Sequence, residues 1–234
     1  MNTVTVVLPT HNEGESIRAT LNEICKSVDN NFEFKIFVAE DGSTDKTRDE
    51  VAKAISENEI QIELSKPSAR LGYSKAIQES IRNCKTNILV FMDSDGQYDP
   101  IEIKNLLDNL KPGFIVCGYR NPRKDPWKRI LYSNLFKILF TFLFKIKLKD
   151  PSSPFIAVYA NDIKFIENID IKLNYGFWWE FQARIRKAGL KVIEIPVKHR
   201  DRLVGQTQVY KLKKLPKIVI THVSGLYKLK KELD

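Results

Sequence analysis

The chain is poor in cysteine, and what it has forms no pattern. Its 234 residues include three cysteines, Cys25, Cys84 and Cys117. None lies close to another and no C-x-x-C spacing occurs. That argues against a zinc site or a redox pair and for free thiols in a reducing compartment. No uninterrupted apolar run reaches the roughly 18 residues that span a bilayer. The N-terminus, MNTVTVVLPT, has no basic region followed by an apolar stretch, so no secretory signal is expected. There is no internal repeat, no low-complexity linker and no aromatic-basic motif of a nucleic-acid-binding fold. A nucleic-acid partner is therefore not expected.

What remains is a globular composition, 43% hydrophobic and 29% charged. The formal net charge is +9, which favours an anionic partner such as acidic lipid or a phosphorylated small molecule. The length suits one large domain.

The first half alternates strand and helix. Short apolar runs at Val4–Leu8, Phe34–Ala39, Ile60–Leu64, Ile88–Met92 and Phe114–Cys117 read as strands. Between them, Glu15–Val28, Thr44–Ile55, Tyr73–Ile81 and Pro100–Leu110 carry apolar residues at helical spacing. This order predicts right-handed crossovers and a mostly parallel sheet covered on both faces. The second half is less regular. It offers an apolar helix at Ile130–Ile146, strands at Phe155–Tyr159 and Lys191–Ile195, the latter ended by Pro196, and a helix at Phe177–Ala188. A lysine-rich segment begins at Leu212 and is broken or kinked near Pro216.

In parallel sheets, ligands bind beyond the carboxyl ends of the strands. Three polar clusters fall there: Pro9-Thr10-His11-Asn12-Glu13, Glu40-Asp41-Gly42-Ser43 and Asp93-Ser94-Asp95-Gly96-Gln97. The sheet is expected to bring them to one edge. Asp93 and Asp95, one residue apart after a buried strand, suit a hard cation such as Mg²⁺ or Mn²⁺, completed by phosphate oxygens, with Gln97 adding a neutral oxygen. Asp41 reads either as a turn and cap residue or as an acceptor for a nucleobase. Glu13 reads as a helix N-terminal charge or a ligand contact. Arg70, Arg120, Arg129, Arg200 and Arg202 are the cationic candidates for phosphate, Arg120 being well placed after a strand. Glu180, beside Trp178 and Trp179, reads as a desolvated carboxylate or as a charge at a helix edge.

Together these clusters resemble the inverting family 2 glycosyltransferases of GT-A fold, in particular dolichyl-phosphate mannose synthases and polyprenyl-phosphate sugar transferases. The resemblance runs through V-V-L-P-T-H-N-E, E-D-G-S-T-D-K-T at 40–47, Leu71-Gly72, F-M-D-S-D-G-Q-Y-D-P at 91–100, G-Y-R at 118–120, D-P-S-S-P-F at 150–155 and R-L-V-G-Q-T at 202–207. It implies an α/β GT-A domain over 1–210, including an interfacial helix at 129–147, then a basic helical segment over 211–234. It implies that Pro9, His11, Glu13, Asp41, Asp93 and Asp95 bind the nucleotide-sugar donor, with Asp93, Asp95 and Gln97 on Mg²⁺ or Mn²⁺. Arg120, Arg129, Ser133 and Arg202 would face donor or acceptor phosphates. Three positions depart from the family pattern: Glu40 in place of aspartate, Pro154 in place of glycine, and Thr207-Gln208 in place of Ser-Lys.

Two acceptor classes follow. A polyprenyl or dolichyl phosphate is already largely anionic at pH 7, because its second pKa is about 6, and needs no strong base. A glycan hydroxyl requires a carboxylate base, for which Glu180 is the candidate. A third, non-enzymatic alternative is a basic membrane-binding module on a degenerate scaffold. The 130–146 helix carries a narrow polar stripe, Ser133, Lys137, Thr141 and Lys145, on a wide apolar surface, as interfacial helices do. Lys211, Lys213, Lys214, Lys217, Lys228, Lys230 and Lys231 would add roughly 1 kcal/mol each at an anionic surface. The expectation is a peripheral enzyme on the cytoplasmic face of the cell membrane. The sequence carries no signal for oligomeric state.

Overall fold

The computed structural model describes residues 2–28, 31–125, 127–173, 176–201 and 215–234. The side chains of residues 128–129 and 215–219, and thus that of Arg129, lie outside the described residues, as do Arg202, Thr207-Gln208, Lys211, Lys213 and Lys214 entirely.

Among the described residues, seven strands form one sheet: β1 (Thr3–Thr10), β2 (Glu33–Glu40), β3 (Gln61–Leu64), β4 (Ile88–Phe91), β5 (Phe114–Arg120), β6 (Ile156–Tyr159) and β7 (Lys191–Val197). Their order is β3-β2-β1-β4-β6-β5-β7. All neighbours are parallel except β6, which runs antiparallel to β4 and β5. The helices are α1 (Ile17–Ser27), α2 (Thr47–Glu57), α3 (Tyr73–Asn83), α4 (Glu102–Asp108), α5 (Trp127–Phe144), α6 (Phe177–Lys187) and α7 (Leu215–Leu233), with a 3₁₀ segment at Ala160–Asn168. This is the mostly parallel α/β architecture that the alternating pattern predicts.

Strand β1 shows why the sheet must be covered twice. Val4, Val6 and Leu8 pack with Ile17, Leu21 and Ile24 of α1. Val7, on the opposite side of the pleat, packs with Ala76 and Ile77 of α3. A strand apolar on both faces is stable only between two helical layers. Strand β2 and strand β4 flank β1, so the loops after all three emerge side by side.

Among the boundaries that differ from the sequence reading, two fall at prolines. Pro196 does not end the last strand; it pairs with Tyr119 inside β7. Lys191 N–H donates to Gly113 and Val197 O accepts from Asn121, so the odd positions of β7 face β5 and Pro196 faces the outer edge. There a missing N–H breaks no ladder bond. Pro216 likewise does not break the C-terminal helix. It sits in the first turn of α7, where an N–H would have no intrahelical partner.

A third apolar cluster joins α5, α6 and α7 through Phe140, Trp179, Ala183, Leu226 and Leu229. Only part of α5 is used for this. Trp127, Leu131, Leu135, Ile138 and Phe142, spaced four, four, three and four residues apart, are 48–69% exposed. Ile220, Val223 and Tyr227 of α7 are exposed as well. The first half of the polar stripe of α5 meets the protein instead: Ser133 accepts from Arg123 and Lys137 Nζ donates to Lys149 O, while Lys145 is exposed beside Phe142. No helix of the described residues is long and apolar enough to cross a membrane.

Candidate active site

The loops after β1, β2 and β4 are stitched together by backbone and short polar side chains. Asn12, at φ +55°, donates its N–H to Ser43 Oγ at 3.0 Å, and its Oδ1 accepts from Thr44 N–H at 2.8 Å. Asparagine tolerates this left-handed conformation better than most residues. Glu13 N–H donates to Thr47 Oγ1 and Gly14 N–H to Asp45 Oδ2. From the other side, Ser94 Oγ donates to Pro9 O at 3.0 Å. The three clusters thus meet at one edge of the sheet, which is the convergence the alternating pattern predicts. Among the described residues, His11 Nδ1 is buried without a hydrogen-bond partner.

Asp41 is buried and clips the following loop. Its Oδ1 accepts from Leu71 N–H at 2.6 Å and Gly72 N–H at 2.8 Å, and Arg70 Nε lies 3.5 Å from its Oδ2. Gly42, at φ +68°, leaves room for this: a Cβ there would sit 3.1 Å from Arg70 Cα. Glu40, the atypical residue, is buried. Burial alone would raise its pKa, but the Ser43 N–H and the Arg48 guanidinium outweigh that and lower it. Arg48 reaches Glu40 Oε2 through both Nε (3.0 Å) and Nη2 (2.7 Å).

Asp93 and Asp95 follow β4. Asp95 Oδ1 accepts from Gln97 N–H at 3.1 Å, an Asx turn that fixes the loop. Gln97 donates its side-chain amide to Arg200 O at 3.4 Å and its backbone carbonyl accepts from Arg200 N–H. Arg200 pairs with Glu23 and Asp99. Asp93 Oδ1 lies 3.4 Å from the hydroxyl of Tyr73. Tyr73 is 37% exposed; desolvation and the Asp93 charge push its pKa well above the ordinary range, so it stays protonated. Among the described residues no three or more His, Cys, Asp or Glu side chains gather as a metal cluster. A pair of carboxylates on one loop nonetheless fits a cation of the Mg²⁺ type, which takes few protein carboxylates and completes its shell with phosphate and water.

Two expected roles are corrected by the geometry. Arg120 is expected at the phosphates, but Nε and Nη2 of its guanidinium are held by protein groups. Nε donates to Asp150 Oδ2 at 2.7 Å, Nη2 donates to Asp150 Oδ1 at 2.9 Å and Ser152 Oγ at 2.7 Å, and Nη1 lies 3.5 Å from Asp125. It anchors the 150–153 loop to the end of β5 through Nε and Nη2, the edge that a bidentate phosphate would otherwise take. Glu180 is expected as a base, but it is fully buried in α6. Its Oε1 accepts from Arg184 Nε and Nη2 at 2.8 and 2.6 Å, and its Oε2 from Lys172 and Leu173 N–H at 2.7 and 2.8 Å. A carboxylate with four donors and no exposure cannot take a proton from a substrate.

Beside Arg120 stands Arg123, which no sequence motif marks. It pairs with Asp125 at 2.8 Å and donates Nη1 to Ser133 Oγ at 3.0 Å. Trp178, noted only as a neighbour of Glu180, donates its indole N–H to Tyr73 Oη at 2.7 Å.

The sequence profile described as Glycosyl transferase family 2 matches residues 5–168. The chain belongs to this family. It is 27% identical to the polyprenol monophosphomannose synthase of Mycolicibacterium smegmatis, across 87% of this chain and 80% of that protein. It is 26% identical to the dolichol-phosphate mannosyltransferase of Pyrococcus furiosus, across 97% of this chain and 64% of the relative. Glycosyltransferase AglD of Haloferax volcanii matches at 26% identity over 88% of this chain, which spans only 34% of that relative's length. Among solved structures, glucosyl-3-phosphoglycerate synthase from Mycobacterium tuberculosis, in complex with Mn²⁺, UDP and phosphoglyceric acid, superimposes with a TM-score of 0.75. That match covers 98% of this chain and 78% of the other at 19% identity, a likeness of fold. For this family 2 chain, the loops of β1, β2 and β4 all fall inside the matched region.

Proposed function

We propose that this chain transfers a hexose from a nucleotide-sugar, of GDP-mannose or UDP-glucose type, to a polyprenyl or dolichyl phosphate at a membrane surface. The observation that carries the choice of acceptor is the burial of Glu180 in its ion pair with Arg184. A hydroxyl acceptor needs a base, and the carboxylate proposed for that task has no access to substrate. A lipid monophosphate is already a nucleophilic anion near neutral pH. The names of the Mycolicibacterium and Pyrococcus relatives support the same acceptor class.

In this reading the nucleoside lies over the edge formed by Pro9, His11, Glu13 and Asp41, where it would satisfy the buried Nδ1 of His11. Asp93 and Asp95, with Gln97, would hold Mg²⁺ or Mn²⁺, which neutralises charge on the departing nucleoside diphosphate. Displacement at the anomeric carbon by a phosphate oxygen inverts its configuration. Arg129, whose side chain lies outside the described residues, and Arg202, which lies outside them entirely, remain the proposed cations for the acceptor phosphate. The exposed apolar stripe of α5 would lie in the interfacial layer of an anionic membrane, with Lys145 close beside Phe142.

The test is a donor screen with short polyprenyl phosphates and GDP- or UDP-hexoses in the presence of Mn²⁺, scored by labelled lipid product. Product that disappears in Asp95→Asn is expected. Transfer to a glycan hydroxyl but not to any polyprenyl phosphate would refute the reading, as would Mn²⁺-independent transfer.

A further inference from the structure

We propose that Tyr73 is the positioning residue for Asp93, its hydroxyl aimed at the carboxylate by the indole of Trp178. The direction of this relay follows from donor chemistry. An indole N–H can only donate, so at 2.7 Å from Trp178 Nε1 the Tyr73 oxygen must be the acceptor. Tyrosine has one hydroxyl proton. With an oxygen lone pair committed to the indole, that proton is left for the other neighbour, Asp93 Oδ1 at 3.4 Å. The contact is long for a hydroxyl–carboxylate hydrogen bond, as hydrogen bonds in a site without substrate often are.

The parts of the relay are held rigidly. The Trp178 ring is wedged against Phe91 (5.3 Å), Phe177 (5.0 Å) and Phe181 (5.4 Å) in edge-on contacts. Phe91 is the last residue of β4, two before Asp93. Tyr73 opens α3, and the preceding residue, Gly72, is fixed by its N–H to Asp41. Indole, hydroxyl and carboxylate are therefore referred to the same seam between β4, α3 and α6. A hydrogen bond to one oxygen restrains rotation of the carboxylate, and partners of this kind behind a metal ligand commonly change metal affinity by ~10- to 100-fold.

This inference rests on Asp93 being a cation ligand, and the experiment separates the two. MnCl₂ is titrated into wild-type, Tyr73→Phe, Trp178→Phe and doubly substituted protein with GDP or UDP at fixed concentration, and free Mn²⁺ is read by electron paramagnetic resonance. Tyr73→Phe keeps the ring and is expected to raise the Mn²⁺ Kd roughly tenfold. Its nucleotide affinity without metal stays at the wild-type value, its melting temperature falls by about 2–10 °C because the Trp178 indole N–H loses its acceptor, and turnover returns when Mn²⁺ is raised. Trp178→Phe moves the Kd the same way by a smaller factor, and the double variant is no worse than Tyr73→Phe alone, because the indole acts through the hydroxyl. Wild-type Kd in folded Tyr73→Phe overturns the relay and leaves the metal site standing. No Mn²⁺ binding by the wild type overturns both.

Discussion

Replacing Glu180 with glutamine separates a structural carboxylate from a catalytic one. The wild-type side chain answers four donors with two oxygens, and Arg184 is itself buried. Glutamine keeps one oxygen and brings an NH₂ group that must face either the Lys172 and Leu173 amides or the guanidinium. Two of the four bonds become donor–donor contacts, and a buried arginine loses one of its two charge partners. Breaking a buried pair on one side costs about 3–5 kcal/mol. Arg184 retains Glu232 at 2.8 Å, which places the loss near the lower end, about 3 kcal/mol. For a chain of this size, that lowers Tm by roughly 6–12 °C, at about 2–4 °C per kcal/mol. The assay pairs thermal unfolding with turnover per folded molecule, measured well below the variant's Tm. The expected result is a clear loss of stability with turnover within about threefold of wild type, far from the ~10²–10⁴-fold drop of a lost general base. An unshifted Tm with a drop of that size would refute the argument and restore the hydroxyl-acceptor mechanism.

Asp150 should govern acid stability. Burial opposes its charge, but the hydrogen bonds and charge of Arg120, helped by Arg123 and Ser152, hold its carboxyl well below the usual range. A depressed folded pKa gives stability that is full above the unfolded value of about 3.9 and is lost as pH falls through the folded value. Asp150→Asn should cost about 3–5 kcal/mol at pH 7 and show a flatter urea midpoint below pH 4 than wild type; an identical acid profile would contradict the assignment. Ile138→Glu and Phe142→Glu, at sites 66% and 69% exposed, should leave Tm nearly unchanged. Each should weaken sedimentation with anionic vesicles about tenfold, the equivalent of ~1.5 kcal/mol of lost apolar burial; unchanged vesicle binding would exclude this face. Burial pushes the thiols of Cys84 and Cys117 up to about 12. At pH 8 they should resist Ellman's reagent in the native protein and react only on unfolding.

The sheet and its ligand edge were legible because they depend on local pattern. Val4, Val6, Val7 and Leu8 announce a strand buried on both faces, and polar residues after such strands announce the edge. The antiparallel insertion of β6 was not legible, since four residues, Ile156–Tyr159, carry no sign of their partners. The segment around Glu180 drew attention for a sound reason, but to the wrong residue. Positions two apart on a helix do not share a face, so Trp178 turns toward Tyr73 while Glu180 turns toward Arg184. Arg120 failed differently. A strand-end arginine looks like a phosphate ligand until its partner is known, and Asp150 lies 30 residues away in sequence. The four-residue spacing of Ser133, Lys137, Thr141 and Lys145 is legible in the sequence, but which side of α5 meets the protein is a tertiary fact.

The proline near the end of the last strand bears on how copies of this molecule behave together. An open sheet margin recruits another chain by offering a regular row of amide donors. On this flank the row is interrupted at Pro196, and at the opposite flank β3 offers only four residues, two of them Gln61 and Glu63. Cross-strand stacking between molecules is discouraged at both ends. If the protein gathers at high local density on a lipid surface, it can do so through its helices without polymerising through its sheet.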